Sequence, residues 1–296
     1  MILSFHPCFV GDKNILCAGR EPDAQDLEAI RQADAVVLSQ GCKAGLYRMA
    51  RENCACVFPN YDIRFGYPGK IGQMRLFREK KVPHPKTELY ESVNEYFRHY
   101  GKFISKPGVG FPFVFKFNWG GEGDNVFLLR STSELRNVLH MAEEFERTGQ
   151  KGFLVQQHVS CENRSLRIAV IGTRIISYWR VQKDSDVFCA NIRKGGYIDT
   201  DSDPELQERA MKDLQAFCNI SGINLAGFDF LFSAADENRE PLFLEINWFF
   251  GRTGLGGSEQ YYRLLMGEIE KWVHSLGLDC PRQCIDCKPD IDCDKM

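Results

Sequence analysis

The 296-residue sequence lacks most of the signatures that usually betray a nucleotide or metal enzyme. It has no G-x-x-x-x-G-K-[ST]: Gly69-Lys70 is followed by Ile71 and has the wrong upstream spacing, which excludes a P-loop. No G-x-G-x-x-G opens a helix after a first strand, so a Rossmann fingerprint is excluded as well. The six histidines form no H-E-x-x-H, and no Ser/His/Asp or Cys/His nucleophilic arrangement can be traced. No apolar run approaches 18 residues, and the first ten residues lack the basic and long apolar regions of an export signal. A cytoplasmic protein away from membranes is expected. Positive charge is not in surplus either: 37 Lys and Arg face 40 Asp and Glu, a net charge of −3, so nothing points to nucleic acid.

What is present is ordinary in bulk. Apolar residues make up 44% and charged residues 26%, and the length allows two domains or three small ones. Of twelve cysteines, eight (Cys8, Cys17, Cys42, Cys54, Cys56, Cys161, Cys189, Cys218) are scattered as reduced thiols would be. The other four, Cys280, Cys284, Cys287 and Cys293, crowd the last 17 residues. Such a cluster can hold Zn²⁺ or an iron-sulfur cluster, form disulfides, or remain a loose reduced tail. Its spacing matches neither paired C-x-x-C knuckles nor the bacterial ferredoxin run.

Along the chain, residues 1–72 read as a small α/β unit. Short apolar runs at 1–5, 35–38 and 55–58 alternate with helical patterns, the first starting near Pro22, and this alternation predicts a parallel sheet. A helix with Met74, Leu76 and Phe77 follows and ends before Pro83 and Pro85. Leu89, Val93, Tyr96 and Phe97 predict one amphipathic helix over 88–100. Residues 111–117 and 125–129 are strands joined by a glycine-rich loop, and Ser131 with Glu134 has capping-box spacing before a helix. From 152 the chain is strand-rich, with a helix from Asp203-Pro204 to about 219 and a last helix over 258–276. The expected division is 1–72, 73–151, 152–277 and a cysteine-rich tail, 278–296.

The chemistry concentrates in two strands. Gly227-Phe228-Asp229-Phe230-Leu231 and Phe243-Leu244-Glu245-Ile246-Asn247 are apolar runs interrupted by oxygen donors, with Glu245 and Asn247 on one face of an extended strand. Carboxylates buried there need a counter-charge. None is evident in the sequence nearby, so an all-oxygen Mg²⁺ or Mn²⁺ site on Asp229, Glu245 and Asn247 is expected. Upstream, phenylalanines occupy the odd positions of 111–117 and leave Lys116 on the opposite face. Lys116 is either an edge charge or a cation aimed at a ligand. Trp119-Gly120-Gly121-Glu122-Gly123-Asp124 follows, a loop whose glycines suit either a plain turn or close approach of backbone N–H groups to phosphate.

A strand lysine, a glycine-rich loop, Leu154-Val155-Gln156-Gln157-His158-Val159 and then D…E-x-N, in this order, resemble the ATP-grasp superfamily. The resemblance is to the branch of RimK-like and prokaryotic glutathione synthetase-like ligases, over residues 66–258. It implies an α/β (α+β) ATP-grasp fold, with an N-terminal pre-ATP-grasp α/β domain and two lobes enclosing the nucleotide. Lys70 and Lys116 then look like the two nucleotide lysines, with Gly120, Gly121 and Gly123 over the phosphates. Gln156, Gln157, His158 and Val159 look like the adenine hinge, although the family often has Glu where this chain has Gln. Arg167 lies in a segment similar to the branch's "IR..VVG" strand and is a substrate candidate. Arg180 falls where the branch carries an arginine near the reacting phosphate, and Asn191 lies in a segment close to its N-x-x-x-G-G.

The chain departs from the branch after Asn247. Trp248-Phe249-Phe250-Gly251-Arg252 replaces the usual Ser/Thr-x-Pro-Gly, which suggests an unusual acceptor and leaves Arg252 as a candidate carboxylate ligand. The function implied is an ADP-forming, ATP- and Mg²⁺-dependent ligase. It would join a small carboxylate to an amine or thiol through an acyl phosphate, with Lys116, Arg180 and Asn191 at the reacting groups. A small-molecule kinase on the same fold, or a non-catalytic ATP sensor with a metal-binding cysteine tail, remains open. Oligomeric state is not legible.

Overall fold

The computed structural model describes residues 1–17, 19–101, 107–121, 125–183 and 195–281. They divide into two compact units: Met1–Asn60 with Ile171–Thr173 and the chain from Leu255, and Tyr61–Val170 with Arg174–Gly254. The first unit contains β1 (Ile2–Ser4), β2 (Lys13–Asn14), α1 (Ala24–Arg31), β3 (Ala35–Val37), α2 (Ala44–Asn53) and β4 (Val57–Phe58). The four strands are parallel in the order β2-β1-β3-β4. Every residue of β1, β3 and β4 is buried, which explains why these strands read as continuous apolar runs rather than alternating ones. Helix α1 is set by Asp23 rather than Pro22. The Asp23 carboxylate accepts from the N–H groups of Gln25 and Asp26, and Asp26 returns a bond to the Asp23 N–H.

The second unit contains α3 (Asp62–Gly66), α4 (Gly69–Glu79), β5 (Thr87–Tyr90), α5 (Val93–Tyr100), β6 (Phe113–Phe117), β7 (Val126–Leu129), α6 (Thr132–Arg147) and β8 (Phe153–Gln157). It continues through β9 (Arg164–Ile171), β10 (Arg174–Val181), β11 (Tyr197–Asp199), α7 (Pro204–Ser221), β12 (Leu225–Leu231) and β13 (Leu242–Asn247). One sheet is antiparallel in the order β5-β8-β6-β7, and the other has the order β11-β10-β9-β12-β13. The single helix expected over 88–100 is instead a strand and a shorter helix. Residues 87–90 pair with 153–156, and Ser92 starts α5 by accepting from the Glu95 N–H. Leu89 matched the helical spacing by coincidence, whereas strand pairing and the Ser92 cap decide the local structure.

In β6 the phenylalanine face is core. Phe113, Phe115 and Phe117 have no exposed surface, and Phe115 stacks on Phe153 with centroids 4.6 Å apart. The opposite face is therefore left for Lys116. Finally α8 (Gly257–Ser275) returns to the first unit, where Trp272 meets Phe58 at 5.5 Å between ring centroids. Its buried Glu268 accepts from the Thr173 N–H and Oγ1 at 2.8 and 2.6 Å and pairs with Lys271 at 2.7 Å. Among the described residues, no helix is long and apolar enough to cross a membrane.

Candidate active site

The start of α4 is fastened to the end of β6. Asn118 receives the Lys70 N–H on its backbone oxygen at 3.2 Å and the Ile71 N–H on its side-chain oxygen at 2.9 Å. These bonds satisfy donors that a helix N-terminus leaves open. They also aim Lys70, whose side chain is buried, at the glycine-rich loop and the acidic strand together. Its Nζ donates to Gly120 O at 2.8 Å and lies 3.3 Å from Glu245 Oε1. Lys70, Lys116, Gln73, Met74, Leu154, Gln156, Leu244 and Glu245 line one small cavity. The two sequence-selected lysines thus share a space with one of the selected carboxylates.

Register explains the acidic face. Asp229 is opposite Glu245 and Gly227 opposite Asn247, so the oxygen donors of β12 and β13 gather on one side of the sheet. The counter-charges that the sequence did not reveal are arginines. Asp229 Oδ1 accepts from Arg167 Nε at 2.5 Å and Arg180 Nη2 at 2.9 Å, and Oδ2 from Arg167 Nη2 and Asn247 Nδ2, each at 3.1 Å. A carboxylate offers about four acceptor positions. Those of Asp229 are all in use. Burial alone would raise its pKa, but the Arg167 and Arg180 charges outweigh that effect and hold it at about 2. The expectation that both carboxylates lacked a partner is therefore corrected: Asp229 has two guanidiniums and Glu245 has Lys70.

The remaining selected residues fall as follows. The Gln156 side chain is buried and donates to Thr87 Oγ1 at 2.9 Å, while Gln157 is exposed and its N–H donates to Lys86 O at 2.8 Å. His158 is half-buried and Val159 buried; desolvation, with the nearby Arg130 charge, lowers the His158 pKa. Gly120 has φ +85° and no room for a Cβ beside Asn125, whereas a Cβ on Gly121 would meet nothing within 4 Å among the described residues. Arg252 is half-buried. Gly123, Asn191, Cys284, Cys287 and Cys293 lie outside the described residues. Cys280 is described, and no group of three or more His, Cys, Asp or Glu suited to a metal occurs among the described residues. Asn118 and Gln73 were missed because their partners are 47 and 173 residues away, beyond any local spacing signal.

Lys70, Lys116, Arg167 and Arg180 outnumber Asp229 and Glu245, so the cluster carries two positive charges in excess. That is the complement of a magnesium–nucleoside triphosphate dianion. The donor chemistry also fits Mg²⁺: Glu245 and Asn247 present hard oxygen on the shared face. Asp229 can join them only by giving up an arginine bond.

Residues 69–264 match the model of a RimK-like ATP-grasp domain. Over 139 residues the chain is 28% identical to an uncharacterised protein of Mycoplasma pneumoniae, covering 46% of this chain and 43% of that one. It is 27% identical over 139 residues to a glutamate–LysW ligase of Sulfolobus acidocaldarius, covering 47% of each. The chain thus spans somewhat less than half the length of these relatives. A RimK-domain ATP-grasp protein of Sphaerobacter thermophilus superposes with a TM-score of 0.61 at 14% identity, over 92% of this chain and 98% of the other. A D-alanine–D-alanine ligase of Bacillus anthracis gives 0.52 at 15% identity, over 90% and 86%. At such identities the shared property is the fold.

Proposed function

The chain belongs to the RimK-like ATP-grasp family, and on that premise we propose that it is an ATP- and Mg²⁺-dependent, ADP-forming ligase joining a small carboxylate to an amine. The observation that carries this reading is the cluster of four cations and two carboxylates on one cavity and one sheet face, with Lys70, Lys116, Arg167 and Asp229 buried and Arg180 and Glu245 half-buried. Phosphoryl transfer asks a protein mainly for positioning and charge neutralisation, and this cluster supplies both. Lys70 and Lys116 hold the phosphates beside the Gly120 loop, and the segment Gln156, Gln157, His158 and Val159 borders the base. Glu245 and Asn247, with Asp229 behind them, would hold Mg²⁺, which would supply neutralisation of phosphate charge.

The substrate carboxylate attacks the γ-phosphorus and the bond to ADP breaks. Arg180 stabilises the charge of the group in transit. The acyl phosphate is then attacked by the amine, the C–O bond to phosphate breaks, and the amine loses a proton. Arg167 keeps Asp229 ionised, and Arg252, five residues beyond Asn247, orients a carboxylate; Asn191 assists at the reacting groups. The acceptor side is where this chain differs: Phe249, in the segment where the branch carries Ser/Thr-x-Pro-Gly, is 64% exposed and its ring lies 4.9 Å from the Arg64 guanidinium.

The test is ADP release from Mg-ATP over a panel of amino acids, peptides and other carboxylates with amines, followed by mass analysis of the product. An amide is expected. Glu245→Gln should lower turnover by about 10²-fold while the protein stays folded. Full turnover in that variant removes the assignment. A phosphorylated product without amide or thioester would instead favour a kinase, and nucleotide binding without ADP release a sensor.

A further inference from the structure

Helix α4 packs on the acidic strand through Phe77 against Phe243, and it also hydrogen-bonds to that strand's backbone through a buried side chain that the proposed chemistry does not use. Gln73 is one turn beyond Lys70 and 8% exposed. Its Nε2 donates to Ile246 O at 2.8 Å, and its Oε1 accepts from the Ile246 N–H at 2.9 Å. Strand β13 is the last in its sheet, with β12 on one side only. The outward backbone groups of Ile246 would otherwise be an unpaired edge. The Gln73 amide takes the place of a peptide group in the missing next strand. Ile246 stands between Glu245 and Asn247, and residues three apart on a helix share a face. One two-bond clamp therefore fixes Lys70 relative to Glu245 and Asn247.

Resting on the ligase reading above, we propose that Gln73 is a positioning residue. It sets the separation between the phosphate-binding Lys70 and the metal-binding edge of β13, so that a nucleotide and its metal are held in one frame. Metal-free nucleotide needs only the cations. A magnesium nucleotide needs cations and Glu245 in register, and that register is what the clamp supplies. The neighbouring bond from the Phe243 N–H to Pro83 O, 2.8 Å, holds the strand start to the turn after α4 but lies a full helix length from Lys70. It cannot replace the clamp at the site.

Gln73→Met keeps length and bulk but removes both bonds; Gln73→Glu keeps the acceptor, loses the donor and adds a charge. In calorimetry with a non-hydrolysable ATP analogue, the ratio of Kd without Mg²⁺ to Kd with Mg²⁺ should fall by about tenfold in Gln73→Met, the equivalent of one or two net hydrogen bonds. It should fall further in Gln73→Glu. In the nucleotide-free protein, acetylation of Lys70 by acetic anhydride, read by mass spectrometry, should accelerate at least about fivefold as α4 is freed from the strand. A purely structural Gln73 would lower Tm and leave the Kd ratio and the Lys70 labelling rate unchanged, which overturns the proposal. If the wild-type protein binds no nucleotide, the ligase reading fails, and Lys70 labelling alone still decides whether Gln73 positions the lysine.

Discussion

The arginine pair on Asp229 gives the sharpest energetic prediction. Arg167 and Asp229 each keep only 7% of their side-chain surface, so both charges have been taken out of water and compensated almost wholly by each other, Arg180 and Asn247. In Arg167→Met the aliphatic stem is replaced but two charge-assisted bonds to Asp229 disappear. Removing one partner of a buried pair costs about 3–5 kcal/mol, because the other charge stays behind. For a protein of this size that is roughly 6–20 °C in Tm. Asp229→Asn should be comparably costly, since two guanidiniums would face a neutral amide. The double variant Arg167→Met/Asp229→Asn strands only Arg180, and its loss should fall short of the sum by about 1–3 kcal/mol. Urea unfolding of the four proteins measures the cycle. A loss below about 1 kcal/mol for Arg167→Met, or additive losses, would refute the argument that this pair neutralises the acidic strand.

Much of the architecture was legible because it rests on local patterns. The continuous apolar runs of β1, β3 and β4 foretold a buried parallel sheet, and odd-position phenylalanines put Lys116 on the non-core face of β6. Two acidic strands separated by a turn could be read as neighbours, and β12 pairs with β13 antiparallel. What was hidden depends on contacts between distant segments. Arg167 and Arg180 looked like substrate and phosphate residues, yet only the alignment of β9 and β10 beside β12 brings both guanidiniums onto one carboxylate 62 and 49 residues away. The spacing of Leu89 with Val93, Tyr96 and Phe97 points to a helix over 88–100, and the pairing of residues 87–90 with β8 overrides it. Strand β2, Lys13–Asn14, is two exposed polar residues and carried no apolar signal at all.

Two further tests address other parts of the molecule. Burial alone would raise the Glu268 pKa, but Lys271 and Thr173 hold it at about 2, below its ordinary 4.5. A depressed carboxylate contributes stability that is complete above pH 4.5 and is lost as pH falls toward 2, so Glu268→Gln should flatten the acid limb of a Tm-against-pH curve in that window. An unchanged acid limb would contradict the assignment. The glycine-rich loop separates two glycines that looked equivalent in sequence. Gly120 combines φ +85° with a missing Cβ that would overlap the Asn125 side chain, and its carbonyl receives Lys70 Nζ at 2.8 Å. Gly121 has open space among the described residues. Left-handed backbone costs a non-glycine residue about 1–2 kcal/mol, and relief by shifting the loop would carry the Gly120 carbonyl away from Lys70. Gly120→Ala should therefore lower Tm and raise KM for ATP, by roughly tenfold if the whole strain falls on the bound state. Gly121→Ala should leave both within twofold of wild type. Equal effects of the two substitutions would mean that the loop's glycines serve close approach to phosphate throughout, rather than a single left-handed turn that seats Lys70.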